Sequence, residues 1–352
     1  MAKKLGKDGI RLCTRYGARG IHIPVMLLVS LSLNILALSI PFLEISMIGK
    51  GKIIYDLPRS TWLMWTEGLY VIAILILSFS IIFPILKLAG MFIVWFGPKT
   101  LARQERIHGL VRNLGKWSFM DIFVVSLLLA LTNKQAFIHS KPMIGVYSFI
   151  AAIVLSMITS ELLHRKLRHV AREIGVAHEP EDPDRLACPL LSFKWYGWLI
   201  GTLLIGSLIT LTAAVAITFL QIHQFLLSSN AYSILRSIES LFQQKQYVVG
   251  ISMVVFLIVF PFLRVMGTIV HWYSASPEWK SIRRIQWLDL VARWSMLDVF
   301  GLALILVLTE GQRMVRTDVR MGLYCLIGAI ALTVLLPMLA TRLDPTHRRL
   351  LR

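Results

Sequence analysis

Four ionisable residues stand inside long apolar runs of this 352-residue chain: Lys87, Asp121, Arg264 and Asp298. A charge near the middle of a membrane helix costs about 2.5–3.5 kcal/mol on insertion scales, so such residues pair, face the interior or serve a function. Their spacing points to pairing, because Asp121 follows Lys87 at the same interval at which Asp298 follows Arg264. About nine apolar residues separate Lys87 from the helix end near Gly97, roughly 13 Å, and Asp121 enters from the same side only about 6 Å deep. A lysine stem snorkels several Å toward an interface, so Lys87 is expected to meet Asp121, and Arg264 to meet Asp298. Two chemistries fit: buried ion pairs that fix helix packing, or a polar centre that holds a lipid headgroup or relays a proton. Arginine does not deprotonate in a protein, so a relay through the basic partner is open only to Lys87.

The residues around these four are of types that would shape such a centre. Pro84 and Pro261 stand three positions before the basic residues, where proline frees a helix carbonyl and bends the helix. Each is a packing kink or a hinge beside the polar centre. Ser118, Ser295, Thr132 and Thr309 are small polar residues at helix ends, suited to interhelical hydrogen bonds or ligand contacts. Trp117 and Trp294 fall at the expected membrane boundary, where aromatic anchors collect.

The elements that must position these residues are membrane helices. Apolar residues make up 56% of the chain and charged residues 16%, with mean hydropathy +0.69, whereas a soluble domain carries about 25% charged residues. Apolar runs near 24–46, 68–96, 117–131, 143–163, 197–221, 246–272, 294–309 and 321–341 fit the roughly 20 residues a helix needs to cross a bilayer. The runs 117–131 and 294–309 are short, so their helices should extend into flanking sequence. The N-terminal segment and the segments 97–116, 164–196, 273–293 and 342–352 hold 25 Lys and Arg, against 10 in the alternate segments. That bias predicts both termini in the cytoplasm. No cleavable signal peptide is expected, because the segment 1–20 is basic and polar.

The chain repeats itself. Phe83-Pro84-Ile85-Leu86-Lys87-Leu88-Ala89-Gly90 matches Phe260-Pro261-Phe262-Leu263-Arg264-Val265-Met266-Gly267, and Trp117-Ser118-Phe119-Met120-Asp121-Ile122-Phe123 matches Trp294-Ser295-Met296-Leu297-Asp298-Val299-Phe300. One constant offset, that from Lys87 to Arg264, serves both motifs, and no gap is needed from about 28 to 163. The expected fold is thus an all-α polytopic membrane protein of about eight transmembrane helices, built as two tandem four-helix repeats. Four spans per copy make the repeats parallel, related by an axis along the membrane normal. The expected organisation is a basic N-terminus (1–23), a first repeat (24–163), a linker (164–196), a second repeat (197–341) and a tail (342–352). Glu179-Pro180-Glu181-Asp182-Pro183-Asp184 marks the linker as a loop.

Several function classes are excluded at this level. A net charge of +18 could suggest nucleic-acid binding, but the basic residues lie in short segments between apolar runs, and no nucleic-acid partner is expected. Cys13, Cys188 and Cys325 form no CxxC pair, so neither a disulfide framework nor a zinc site is expected. The nine histidines, including His108 and His164, fall mostly outside the spans with no pairing at helical spacing, which speaks against haem and metal centres. No phosphate-cradling glycine loop or nucleophile–base motif stands out. The chain is expected not to be an enzyme and to need no cofactor.

The Trp-Ser-x-x-Asp-x-Phe motif and the upstream Pro-x-x-Lys/Arg-x-x-Gly motif, each present twice, resemble the paraquat-inducible protein A family, which includes lipophilic-envelope-spanning A proteins. The likeness covers both repeats. It implies a bacterial inner-membrane protein that works with a periplasmic MCE-domain tunnel partner to move phospholipid between inner and outer membranes. It further implies that the polar centre of Lys87, Asp121, Arg264 and Asp298 carries the function, supported by Pro84, Ser118, Pro261 and Ser295. Typical members carry a cytoplasmic zinc ribbon with CxxC pairs before each repeat, whereas here only Cys13 and Cys188 stand at those places, too few ligands for a structural zinc. Two other functions fit the same residues: a non-transporting membrane anchor or assembly factor for the partner, and a proton-coupled exporter of amphipathic compounds.

Overall fold

The computed structural model describes residues 11–47, 51–68, 70–97, 101–114, 117–132, 138–173, 194–224, 228–273, 282–314 and 317–343. The chain divides into two compact units, Met1–Glu179 and Pro180–Arg352. Among the described residues, six helices are long and apolar enough to cross a membrane: His22–Ser39, Ala73–Phe96, Ile144–Ala171, Gly197–Ala216, Tyr247–Tyr273 and Trp287–Leu308. Two shorter apolar stretches, Trp117–Leu127 and Met321–Leu336, fall where the other two runs are expected. The protein is a helical polytopic membrane protein with an internal repeat.

In unit 1, a short helix α1 (Leu12–Tyr16) and a 3-10 turn (Gly17–Gly20) lead into α2 (His22–Ser39). That helix ends where Ile40, extended at φ −107° and ψ 149°, precedes Pro41, a position from which proline excludes the helical conformation. Strands β1 (Leu43–Met47) and β2 (Gly51–Tyr55) and helix α3 (Leu57–Thr66) follow. Next come α4 (Tyr70–Ile76), a π-helical segment (Leu77–Ile82) and α5 (Phe83–Phe96). Helix α6 (Leu101–Leu114), a 3-10 turn (Trp117–Phe119), α7 (Met120–Thr132), β3 (Ile138–Pro142) and α8 (Ile144–Glu173) complete the unit.

Unit 2 repeats this order. It holds α9 (Lys194–Ala216), β4 (Leu220–Gln224), β5 (Ser228–Tyr232) and α10 (Ile234–Gln243). After α11 (Tyr247–Met253), a π segment (Val254–Val259) and α12 (Phe260–Tyr273) come α13 (Ile282–Trp294), α14 (Leu297–Met314), β6 (Thr317–Val319) and α15 (Met321–Leu343).

The helical expectation meets two departures. The first is a small antiparallel sheet at one end of each unit, β2-β1-β3 and β5-β4-β6. Leu43 pairs with Tyr55 and with Pro142, and Leu220 pairs with Tyr232 and with Val319. The runs expected as helix over 24–46 and 197–221 therefore stop at Ser39 and Ala216, and their last residues become strand. Continuous hydropathy hides the change, because an apolar strand and an apolar helix look alike to a sum over residues. The second departure lies at the expected linker, into which α8 continues as far as Glu173. The expected extension of the short spans occurs in α14, which runs to Met314, whereas the sequence after Thr132, the last described residue of α7, lies outside the described residues.

Each unit closes through the same two glycine contacts. A Cβ on Gly90 would meet Val111 Cγ2 at 2.3 Å, and one on Gly267 would meet Leu288 Cδ2 at 2.4 Å. Glycine thus lets α6 lie against α5, and α13 against α12. Gly145 and Gly322 do the same at the sheet end. A Cβ there would meet Pro41 O at 2.7 Å and Thr218 O at 2.5 Å, and the amides donate to those carbonyls at 3.1 and 3.0 Å. In unit 1 the pair α2 and α8 forms the main contact, with α5 packed on both; in unit 2, α9 and α15 do so, with α12 against α9.

Candidate functional site

The polar centre of each unit is organised by a π-helical segment. Proline at the second position of α5 and of α12 has no N–H and its ring crowds the carbonyl four residues back. The helix widens by one residue per turn just before it, so that Phe83 N–H donates to Ser78 O and Phe260 N–H to Val255 O. Such bulges cluster at functional sites. The widened turn also presents an aromatic platform: Phe79 stacks on Trp117 at 5.6 Å and Phe256 on Trp294 at 6.0 Å between ring centroids. The two tryptophans of the repeated motif are thus half-buried packing residues that lock the start of α7 and α14 onto the π segment, rather than only boundary anchors. In unit 2 the Met296 amide adds a hydrogen bond to Phe256 O at 3.4 Å.

Among the described residues of unit 1 no ion pair joins Lys87 and Asp121, against expectation. Lys87 is 2% exposed and its Nζ donates to Ser156 Oγ on α8 at 2.8 Å; Ser156 in turn donates to Ile153 O at 2.8 Å. Asp121 is buried in the first turn of α7, where the helix N-terminus favours its negative charge. Its carboxyl lies in range of the Ser80 hydroxyl, although neither Oδ2 nor Ser80 Oγ makes a hydrogen bond of ordinary geometry. The physical reason is axial offset. Ser80 precedes Lys87 by two turns, roughly 10 Å of helix rise, so each charge takes the hydroxyl at its own level.

Unit 2 differs at this level. Leu257 stands where unit 1 has Ser80. Arg264, half-buried, feels the charge of Asp298 in the first turn of α14. Its Nε has no hydrogen-bond partner among the described residues. Pro84, Ser118, Pro261 and Ser295 are all buried beside these centres, with Ser118 Oγ unpartnered among the described residues. The Thr132 and Thr309 side chains lie outside what is described.

Sequence reasoning missed Ser156 and Ser80 and passed over His108 and His164, whose rings stack 5.3 Å apart across α6 and α8. The available signal was the recurrence of serine every fourth or eighth residue in an otherwise apolar run, Ser148, Ser156 and Ser160.

The same two-fold pattern is found in known proteins. The model of the paraquat-inducible protein A family matches residues 22–171 and 200–347, one match per repeat. The chain belongs to the paraquat-inducible protein A family. Its relatives include the intermembrane transport protein PqiA of Escherichia coli K12, 26% identical over 140 residues, which is 38% of this chain and 33% of that protein. The lipophilic envelope-spanning tunnel protein A of the same organism is 23% identical over 323 residues, or 84% of this chain and 74% of that protein. A probable intermembrane transport protein of Haemophilus influenzae is 29% identical over 108 residues, 29% of this chain and 26% of that protein. The match to PqiA thus spans about a third of that relative's length. No solved structure matches the chain.

The zinc ribbon that the family resemblance implies does not fit the donors present. Among the described residues no three His, Cys, Asp or Glu side chains converge. Cys13 instead packs half-buried against the apolar cluster around Leu12, Ile23 and Trp95, and Cys188 lies outside the described residues.

Proposed function

We propose that this chain is the bacterial inner-membrane subunit of a lipid-transport system between inner and outer membranes. It passes phospholipid to or from a periplasmic MCE-domain tunnel partner, with both of its own termini cytoplasmic. Membership of a family whose members are named for intermembrane transport and for an envelope-spanning tunnel supports the reading. The observation that carries the lipid part is the Arg264–Asp298 centre. A guanidinium with an unpartnered Nε, half-buried within apolar helices, suits a phosphodiester, which arginine grips through its planar fork. Asp298 compensates that charge between lipid visits. The cargo is moved, not altered, so the chain acts as a carrier and not as an enzyme.

The test is photocrosslinking in cells grown with radiolabelled phosphate. A photoreactive residue at Thr268, one turn beyond Arg264, should form a radiolabelled phospholipid adduct that Arg264→Gln abolishes. A second probe at the exposed Leu335 reports bulk lipid and should be unaffected. Equal labelling at Thr268 with and without Arg264 would refute a headgroup site. Loss of the gene should sensitise the envelope to detergents, and the tagged chain should co-purify with an MCE-domain protein. A second reading, the pure anchor, takes support from Lys87, which Ser156 already satisfies as a packing contact.

A further inference from the structure

Unit 1 contains a line of buried and half-buried polar side chains that the sequence of unit 2 repeats only in part. On α8, Ser148, Ser156 and Ser160 are buried, and His164 follows one turn later. Ser156, Ser160 and His164 follow one another at one-turn steps along one side of the helix, and Ser148 lies two turns before Ser156, displaced about 80° around the axis. From Ser148 to His164 the line winds about 24 Å along the helix, most of the roughly 30 Å of a bilayer's apolar layer. Three neighbouring helices contribute polar groups to it. From α5, Lys87 donates to Ser156 at 2.8 Å. From α6, His108, 2% exposed, stacks on His164 with ring planes at 17°. From α2, Ser30 Oγ donates to Ala152 O at 2.9 Å, which fixes that side of α2 against α8. One turn further on the same side, Asn34 is 3% exposed and its Oδ1 has no hydrogen-bond partner among the described residues. A buried amide oxygen without a donor costs free energy, and its place beside this line marks it as part of a polar route.

The repeat supplies an internal control. At the equivalent positions of the second copy stand Leu211 for Asn34, Arg264 for Lys87, Ile285 for His108, Cys325 for Ser148, Thr333 for Ser156, Pro337 for Ser160 and Thr341 for His164. The backbone is repeated, while Asn34, His108 and Ser160 give way to Leu211, Ile285 and Pro337 in the second copy. Lys87 is also sealed from lipid, which removes headgroup binding as the role of its amine.

We propose that unit 1 conducts protons along this line, between the His108–His164 pair at the α6 end and Asn34 with Ser148 at the sheet end, with Lys87 as the carrier between them. An imidazolium of the pair passes its proton to the Ser160 hydroxyl through one bridging water, since groups a helical turn apart stand about 6 Å from each other, the span of one bridging water. Ser160 and Ser156 each accept one proton and release another, the Lys87 amine becomes an ammonium, and water held at Asn34 Oδ1 takes the proton onward. One positive charge moves per passage, and no bond to carbon changes. On elements packed against the pair, Arg103, Glu105, Arg106 and Arg165 are exposed, and Glu161 engages Arg165 at 3.5 Å. Lys87, buried on Ser156 two turns from His164, and Asp121 are the other buried ionisable groups described in this unit. The proposal deepens the transport reading by naming its energy source, and it rests on that reading only for what the proton drives.

The purified full chain in phosphatidylethanolamine–phosphatidylglycerol vesicles, with a trapped pH dye and a potassium–valinomycin clamp, tests it. An acid step should acidify these vesicles faster than protein-free ones. Lys87→Arg, which keeps the charge but cannot release a proton, should cut the rate about a hundredfold, the low end of a positioned proton-transfer group's contribution. Asn34→Leu and His164→Thr, which install the residues of unit 2, should also slow it, whereas Cys325→Ser should leave it unchanged. Each variant is first shown to melt as the parent does. Wild-type vesicles no faster than empty ones, or full flux in folded Lys87→Arg, overturns the proposal. Neither result touches the headgroup crosslink at Thr268, so the two ideas fail separately.

Discussion

Lys87 Nζ donates to Ser156 Oγ at 2.8 Å across α5 and α8, while Asp121 lies with Ser80 at a different level of the same unit. The second unit replaces Ser80 by Leu257 and Lys87 by Arg264, and there the basic residue lies within reach of the charge of Asp298. Two copies of one backbone thus hold equivalent charges in different ways.

The Lys87–Ser156 bond gives the first prediction. Ser156→Ala leaves a buried amine without its acceptor, which should destabilise the protein by about 1–3 kcal/mol. Ser156→Thr, which copies Thr333 of the second unit, keeps the hydroxyl and should melt close to wild type. Thermal unfolding in detergent micelles checks both, and an unchanged Ser156→Ala would show that the bond contributes nothing.

Packing gives the second. Gly90→Ala puts a methyl 2.3 Å from Val111 Cγ2, and Gly267→Ala puts one 2.4 Å from Leu288 Cδ2. Overpacking of this kind costs about 1–3 kcal/mol. Val111→Ala and Leu288→Ala should each rescue the glycine variant of their own unit and not the other, which thermal melting of the double mutants would reveal as non-additivity.

These two contacts show what hydropathy and motif matching can and cannot reach. The eight apolar runs, the internal repeat and the burial of Lys87 and Asp121 were legible, because each is a property of one segment or of two segments compared. The Lys87–Ser156 bond, the Phe79–Trp117 stack and the His108–His164 pair were not, because each joins residues whose separation in sequence carries no period. Nor were β1 and β4, whose apolar residues prolong the preceding helix run; the Ile40-Pro41 step was the one local sign of a break.

The third prediction is topological. The 25-to-10 bias of basic residues predicts that the sheet end of each unit faces the periplasm. In a variant whose native cysteines are replaced, Arg59→Cys in α3 and Arg236→Cys in α10, both exposed, should react with an impermeant thiol reagent in intact cells. Protection of both until the cells are lysed would reverse the orientation.

The fourth concerns metal. Two lone thiols cannot furnish the four ligands of a structural zinc, so elemental analysis of the purified chain should give well under one zinc per chain. Cys13→Ser should leave the melting temperature unchanged; a stoichiometric zinc lost on that substitution would point to a site built with Cys188 and histidine.

The last prediction separates carrier from anchor at Arg264 and Asp298. Removing one partner of a buried pair leaves an uncompensated charge and typically costs about 3–5 kcal/mol. Asp298→Asn alone can therefore abolish function by unfolding the protein, and a null phenotype from it decides nothing. The double change Arg264→Gln with Asp298→Asn removes both charges and most of that cost while leaving polar, hydrogen-bonding side chains at both positions. A pair that only fixes packing leaves a double mutant that folds, reaches the membrane and restores the envelope of a deletion strain. A pair that grips a phosphodiester leaves one that accumulates at wild-type level and melts near the wild-type temperature, yet does not restore detergent resistance. We expect the second outcome, with Arg264→Lys intermediate, since an ammonium keeps the charge but loses the planar fork. Full complementation by the folded double mutant would retire the headgroup site and leave the anchor as the role of unit 2.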